Sequence, residues 1–332
     1  MPATATVMFS RVRLARNYRD LPFDLSEKPE KADALIARTC NAISMSPLRD
    51  TFEFYRMREL NDIQRHVMEE SRLITEDLLK NLPVAAALVN HRDGLSILMN
   101  EEDHVRIMAI QPGMELLKAA DDCFRVDDAL SMHTEIAFDP QLGYLTACPT
   151  NTGTGMRASL VLHLPMLVLY KQMGNVGQTV AKLGLNIRGV YGEGSEAWGN
   201  MYQISNQATL GRAEDEILHT VLAVGHQLID KEKQLREKYL ENSRISLEDA
   251  VFRAVGIMTH ARILKQEDFF RYWSNLRLGI VSGLLPMELV KADRMIEEVM
   301  DAHLAAYHQR ELTDAERNIE RASRVRNLMH KL

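Results

Sequence analysis

The sequence predicts a mixed domain, α/β or α+β with substantial antiparallel pairing, followed by an all-helical segment. Three observations support that reading. Short β-branched and aliphatic runs alternate with amphipathic helical periods as far as about residue 235. Some of those runs are joined by turns too short for a crossover, such as Asp139-Pro140-Gln141-Leu142-Gly143, which requires antiparallel neighbours. After Asn242 nearly every stretch has the helical period, punctuated by Gly283 and Pro286.

At 332 residues, 46% of them apolar, the chain can bury a large core and a second, smaller one. Its formal net charge of −6 argues against a general nucleic-acid binder, although local basic clusters could hold phosphate. The three cysteines, Cys40, Cys123 and Cys148, are widely spaced, which points away from a disulfide framework or a zinc site. No apolar run approaches the ~20 residues that span a bilayer, and the N-terminus has no signal-like apolar region. A cytoplasmic protein with no membrane partner is expected.

Taken in order, Phe9 to Asn17 reads as a strand with Arg11 and Arg13 on one face and Val12 and Leu14 on the other. That face is either a solvated basic edge or the wall of a site. An amphipathic helix is expected from Glu27 to about Ser44, a strand over Thr51 to Tyr55, and a longer helix from Asn61 to Leu82 carrying Arg65, His66 and Arg72. Ala85 to Val89 and Gly94 to Met99 are strands. If the second continues, the period of two puts Glu102, His104 and Arg106 on one face and Val105 and Ile107 on the other.

Gln111-Pro112-Gly113 turns into a helix ending near His133, and Ile136 to Phe138 and Tyr144 to Cys148 are short strands. The stretch from Cys148 to Arg157 is rich in small residues and is expected to feed a helix running to about Met173. Free N–H groups at such a helix start form a natural phosphate cradle. It is not a Walker A loop, because no Lys-Ser/Thr follows its glycines. Leu185 to Tyr191 is a strand opening into Gly192-Glu193-Gly194, whose glycines permit a sharp turn and leave the Glu193 carboxylate unobstructed. Met201 to Asn206 is the last strand and Arg212 to about Leu240 a long charged helix. Ser246-Leu247-Glu248-Asp249 and Thr313-Asp314-Ala315-Glu316 look like capping boxes. On the final helix Arg317, Arg321 and Arg324 share a face. Two domains are expected, residues 1–235 and 236–332.

Four motifs, each weak alone, occur together in one order: Ser-Arg-Val-Arg at 10 to 13, Asn-Glu-Glu-Asp-His-x-Arg at 100 to 106, Cys-Pro-Thr-Asn-x-Gly-Thr-Gly-x-Arg at 148 to 157, and Arg-Gly-x-x-Gly-Glu at 188 to 193. That combination resembles the phosphagen (guanidino) kinase family over roughly residues 5 to 235. Leu145 to Ser159 and Tyr191 to Ala197 are more similar still to the bacterial protein-arginine kinases of the McsB type. The first Arg motif begins near residue 10, so the helical domain that precedes it in small-molecule members is not expected. A helical C-terminal domain is added instead.

The resemblance implies an α+β catalytic domain with a largely antiparallel sheet flanked by helices. It implies transfer of the ATP γ-phosphate, with Mg²⁺, to arginine side chains of proteins. Glu102 and Glu193 match the family's carboxylate pair and Cys148 its reactive thiol. Ser10, Arg11, Val12, Arg13, Arg72, Arg106, Arg157, Ala158, Ser159, Arg188, Gly189 and Gly192 match the nucleotide-binding positions. Phe9 stands where the family has Ser, and Arg72 where it often has His. Arg317, Asn318, Arg321 and Ala322 match a regulatory phosphoarginine motif, with Asn318 in place of Asp. The resemblance also implies a homodimer, a small zinc-binding activator protein, and delivery of marked proteins to a Clp protease in stress-related quality control. The alternatives are a small-molecule guanidino (arginine) kinase and a weakly active phosphoarginine-binding adaptor.

The chemistry agrees with the residue types. Guanidinium groups grip phosphate oxygens in bidentate fashion. A guanidinium acceptor must itself lose a proton before it attacks, and a pair of carboxylates can orient it and take that proton. Mg²⁺ prefers phosphate oxygens and water to a protein cage.

Overall fold

The computed structural model describes residues 5–26, 28–191 and 197–330. Strands form at Val7–Arg16 (β1), Glu53–Arg56 (β2), Ala86–Asn90 (β3), Leu95–Met99 (β4), Val105–Pro112 (β5), Phe138–Asp139 (β6), Gly143–Tyr144 (β7), Met156–His163 (β8), Leu185–Gly189 (β9) and Met201–Asn206 (β10). Eight of them make one sheet in the order β2-β3-β4-β5-β1-β8-β10-β9, every pair antiparallel. The remaining two form a separate small hairpin.

Helices are Pro29–Ser44 (α1), Asp62–Glu70 (α2), Glu76–Leu79 (α3), Leu116–Ser131 (α4), Pro165–Leu169 (α5), Met173–Lys182 (α6), Glu214–His260 (α7), Gln266–Val281 (α8), Leu289–Glu298 (α9), Asp301–His308 (α10) and Asp314–Met329 (α11). One face of the sheet carries the core. Val12 and Leu14 of β1, Ile107 and Ala109 of β5, and Ala158 and Leu160 of β8 pack there against Leu116, Ala120 and Cys123 of α4 and Val221 and Val224 of α7. On the opposite face, Met68 of α2 and Leu78 of α3 belong to a smaller cluster with Ala87, Val89 and Leu98. Among the described residues, the arginines stand on the middle of that face, outside this smaller cluster.

Four sequence expectations give way to tertiary context. The segment expected to run as one helix from Asn61 to Leu82 is two. Asn61 starts α2 with a capping box to Gln64, but Arg72 adopts a left-handed conformation (φ 59°) that ends it. The strand of β4 does not continue through Glu102. Asn100 turns left-handed (φ 59°), its N–H donates to the His104 carbonyl at 2.9 Å, and β5 returns alongside. The stretch after Cys148 enters no helix. Met156–His163 is a central strand paired on both edges, with β1 and with β10, and every residue of it except Arg157 is buried. The capping box expected at Ser246 starts no helix: α7 kinks at Ser243 (φ −146°), close to the expected end near Leu240, and a second helical stretch resumes at once and runs to His260, so Ser246 lies inside it.

Around α7 the C-terminal helices build a second layer. Trp273 of α8 is fully buried and donates from Nε1 to the Ala292 carbonyl at 2.8 Å. His163, at the end of β8, meets Ser274 at 2.7 Å, which ties this layer to the sheet. No helix among the described residues is long and apolar enough to cross a membrane.

Candidate functional site

Strand register assembles the arginines. Arg13 lies opposite Arg157 across the β1–β8 pair, Arg11 opposite Ser159, Arg106 opposite Ala15, and Arg188 opposite Gln203. With side chains alternating, Arg11, Arg13, Arg106, Arg157 and Arg188 project from one face. Their mutual fields are evident. Burial, then Arg72, Arg157, Arg106 and Arg188, hold Arg11 down to about 10. Burial and the neighbouring Arg11, Arg106 and Arg157 push Arg13 well below its ordinary value. Burial followed by Arg188 and Arg106 lowers Arg157. One polar atom of this wall, Arg11 Nε, is buried without a partner, while Arg11 Nη2 donates to Gln203 Oε1 at 2.7 Å. A wall of crowded guanidiniums with an unsatisfied donor fits a polyanion, whose charge would relieve the repulsion.

Other matched positions fall elsewhere. Ser10, Val12 and Ala158 point into the opposite, core-facing layer and are fully buried, with Ser10 Oγ donating to the Gly113 carbonyl at 2.8 Å. Ser159 is on the arginine face, and Gly189 ends β9 beside Arg188. Glu193 and Gly192 lie outside the described residues.

The turn from Asn100 to His104 explains its own composition. Asp103 Oδ1 accepts from Asn17 Nδ2 and from the Ala147 N–H, both at 2.7 Å. Asn17 Oδ1 accepts the His104 N–H at 2.8 Å, and His104 Nδ1 accepts the Tyr18 N–H at 2.9 Å. His104 Nε2 lies 2.8 Å from the Pro22 carbonyl, so it is the protonated nitrogen, and burial depresses the pKa of this ring. His104 is therefore a structural pin, not a member of an exposed row with Glu102 and Arg106.

Pinned in this way, the turn sends its two glutamates in different directions. Glu101 goes inward, its side chain wholly buried, and grips Arg106 in bidentate fashion at 2.6 Å through both oxygens. Thr75 also donates to it. Burial raises the Glu101 pKa against the opposing pull of Arg106. Glu102 goes outward, its side chain 45% exposed and its carboxylate 3.6 Å from Arg106. Sequence reasoning missed Glu101. The Asn-Glu-Glu-Asp run held the signal, since the unbroken strand expected there would have put adjacent glutamates on opposite faces.

The Ala147 contact to Asp103 also anchors the next loop. Thr209 Oγ1 donates to the carbonyls of Thr150 at 3.0 Å and Thr152 at 2.7 Å. Gly153 (φ 118°) passes so close that a Cβ there would overlap the Thr209 carbonyl. This loop presents Cys148, whose Sγ sits 3.0 Å from Thr150 Oγ1. A cavity of about 170 Å³ is lined together by Glu102, Cys148, Arg13, Arg106, Arg157 and Asp77. Residues from three motifs thus converge, and Asp77 on α3 joins them without a sequence signal.

A second, larger cavity of about 550 Å³ opens on the same face, with Phe9, Arg11, Arg72, Val161, Tyr191 and Gln203 on its inner side. The Arg72 guanidinium lies 4.7 Å over the Phe9 ring and donates to the Tyr191 hydroxyl. Both departures from the family pattern, Phe9 and Arg72, therefore contact each other. Both cavities open on the arginine face, the larger at Arg11 and the smaller at Arg13, Arg106 and Arg157.

The C-terminal arginines are not a solvated basic edge. Arg321 is buried and donates to Asp301, to the Val299 carbonyl at 3.0 Å and to Asn318 Oδ1 at 2.9 Å. Arg317 pairs with Asp301 and Asp314, and Arg324 with Glu298 at 2.5 Å. The amide of Asn318 takes part in holding Arg321, and Ala322 is buried.

No group of three or more His, Cys, Asp or Glu among the described residues could hold a metal ion.

Comparison with known proteins agrees with this geometry. The family described as "ATP:guanido phosphotransferase, C-terminal catalytic domain" matches residues 34–235, and "Protein-arginine kinase McsB C-terminal domain" matches residues 244–332. The chain is 39% identical over 327 residues to the protein-arginine kinase of Caldanaerobacter subterraneus subsp. tengcongensis, covering 98% of this chain and 97% of that one. It is 40% identical to that of Pelotomaculum thermopropionicum, covering 98% and 92%. Among solved structures, lombricine kinase superposes with a TM-score of 0.62 at 24% identity, covering 71% of this chain and 68% of that one. The taurocyamine kinase from Schistosoma mansoni with bound transition-state analogue components superposes with a TM-score of 0.63 at 23% identity, covering 74% and 36%. At these identities the two structures show the shared fold alone.

Proposed function

Since the chain belongs to the ATP:guanido phosphotransferase family, and within it to the protein-arginine kinases, we propose that its two cavities divide one phosphoryl transfer between donor and acceptor. The larger cavity takes the nucleoside of ATP, and the arginine wall takes its phosphates. The smaller takes the guanidinium of an arginine presented by another protein. The single observation that carries this reading is the convergence of Glu102 and Cys148 with Arg13, Arg106 and Arg157 around one cavity.

Each residue then has a physical task. Arg11, Arg13, Arg157 and Arg188 neutralise phosphate oxygens and hold the γ-phosphoryl group in line. Arg106, fixed by Glu101, cannot swing away as charge redistributes, which is the preorganisation that electrostatic stabilisation requires. Glu102 grips the acceptor guanidinium, aligns one nitrogen with the γ-phosphorus and accepts the proton released as the N–P bond forms and the bond to the leaving phosphate oxygen breaks. Glu193 is proposed as its partner carboxylate and Cys148 as a supporting contact. Mg²⁺, held by phosphate oxygens and water, would offset charge on the leaving diphosphate. Glu102 is exposed enough to meet a side chain arriving from a protein surface.

Further parts of the proposal rest on the family resemblance. These are a cytoplasmic homodimer, a zinc-binding activator protein, a regulatory phosphoarginine site around Arg317 to Ala322, and delivery of marked proteins to a Clp protease. We place the boundary between catalytic and helical regions near residue 236, within α7.

The test is to incubate the protein with ATP and an unfolded acceptor protein, alongside free arginine, and to analyse the phosphate formed. Phosphate that is acid-labile and alkali-stable, on protein in preference to free arginine, is the expected product. Label confined to serine, threonine or tyrosine would overturn the proposal. Glu102→Gln should lower kcat by about 10²- to 10⁴-fold with ATP binding retained, as read by steady-state kinetics and titration of a fluorescent ATP analogue.

A further inference from the structure

The large cavity is not built by the catalytic sheet alone. Opposite Phe9 and Tyr191 its outer wall is made by Met300 and, on α10, Asp301, Ala302 and Ala305. Ala302 and Ala305 are one helical turn apart and share a face, leaving room beside the aromatic side of the cavity.

A charged clamp holds that wall in place. Glu70, the last residue of α2, accepts from the Ala302 N–H at 2.8 Å and the His303 N–H at 3.1 Å. It also meets His303 Nδ1 at 2.8 Å. His303 Nε2 is 3.5 Å from Glu297 of α9, and Ser71 Oγ donates to the same carboxylate at 2.7 Å. Burial alone would lower the His303 pKa, yet Glu297 and Glu70 raise it to about 9. Hydrogen bonding to His303 takes Glu297 down to about 2. The clamp is contiguous with Ser71 and the left-handed Arg72, whose guanidinium enters the cavity.

We propose that α10 forms the outer wall of the nucleotide site and that the Glu70–His303–Glu297 clamp positions it, so that the C-terminal helices set affinity for ATP. The inference rests on assigning the large cavity to the nucleotide. His303 and Glu70 are positioning residues: His303 lies behind the wall, and Glu70, which also lines the cavity, holds the start of α10 beside the Arg72 turn; neither meets the reacting atoms. A kinase whose nucleotide site is closed by its own C-terminal region gains a direct route by which anything bound to that region changes turnover.

The experiment uses the full chain with His303→Gln and, separately, Ala305→Leu, which fills the cavity without touching the clamp. KM for ATP and affinity for a fluorescent ATP analogue should weaken by about five- to tenfold in each, with kcat held within about twofold. Wild-type ATP affinity in both variants would overturn the inference, and if His303→Gln fails to fold, Ala305→Leu decides. Arg11→Ala separates the two levels. If it loses ATP binding while the other two retain it, the wall inference fails alone. If it too binds ATP normally, the nucleotide assignment itself fails.

Discussion

Arg106 is held by a partner that makes no approach to the reaction. Glu101 is fully buried and places both its oxygens on the Arg106 guanidinium. Breaking such a pair from one side leaves a charge uncompensated in the interior, a loss of about 3–5 kcal/mol. Glu101→Gln is therefore expected to lower stability by about that amount in urea unfolding and to reduce kcat more than it raises KM for ATP. Glu102, one residue later, is half exposed and should tolerate Gln without a measurable fall in melting temperature. Two adjacent glutamates thus separate into a buried partner of Arg106 and an exposed carboxylate that we propose reacts, decided by which way a pinned turn points each one.

At the level of elements, the site depends on two loops tied to one another. Asp103 Oδ1 receives both the Asn17 amide and the Ala147 N–H, which joins the Glu102 turn to the Cys148 loop. Asp103→Ala leaves the buried Asn17 amide with only the Leu145 carbonyl as acceptor and removes the acceptor of the Ala147 N–H, with about 1–3 kcal/mol the upper range for the buried group. Turnover on a protein acceptor should fall about tenfold or more as Glu102 and Cys148 drift apart, while affinity for ATP, which we assign to the strand arginines, stays near that of the parent. Kinetics with ATP varied at saturating acceptor would show this split. Loss of ATP affinity equal to the loss of turnover would show that the loop also shapes the arginine wall.

Across the whole molecule, α2, α9 and α10 meet at His303, faced by Glu70 and Glu297 with Ser71 alongside. His303 is raised to about 9 in the folded protein, above its ordinary value near 6.5. Its contribution to stability is therefore fully present below about pH 6.5 and is lost as pH rises through about 9. Glu297, lowered to about 2, stays charged throughout that window. Thermal unfolding of the parent should decline between about pH 7 and 9.5, and His303→Gln should flatten that decline. An unchanged slope in the variant would show that His303 carries no charge in the folded state.

Much of this protein could be read from its residues in order. The strands β1, β3, β4, β9 and β10, helix α1 and the capping box of α11 follow from local periodicity and capping chemistry, which neighbours do not alter. The five arginines were legible as a set because their motifs keep a shared order along the chain. The Met156–His163 segment was not legible as a strand: its run of apolar residues is compatible with helix or strand, and only pairing with both β1 and β10 decides between them. The break at Arg72 and the hairpin at Asn100 depend on contacts between residues far apart in sequence, to which periodicity is blind. The sequence by itself determined which chemical groups are present and that they belong to a phosphoryl-transfer enzyme. Only the tertiary structure decided which glutamate is buried and which reaches out, and that α10 walls the large cavity, because burial and long-range pairing are properties of the assembled fold.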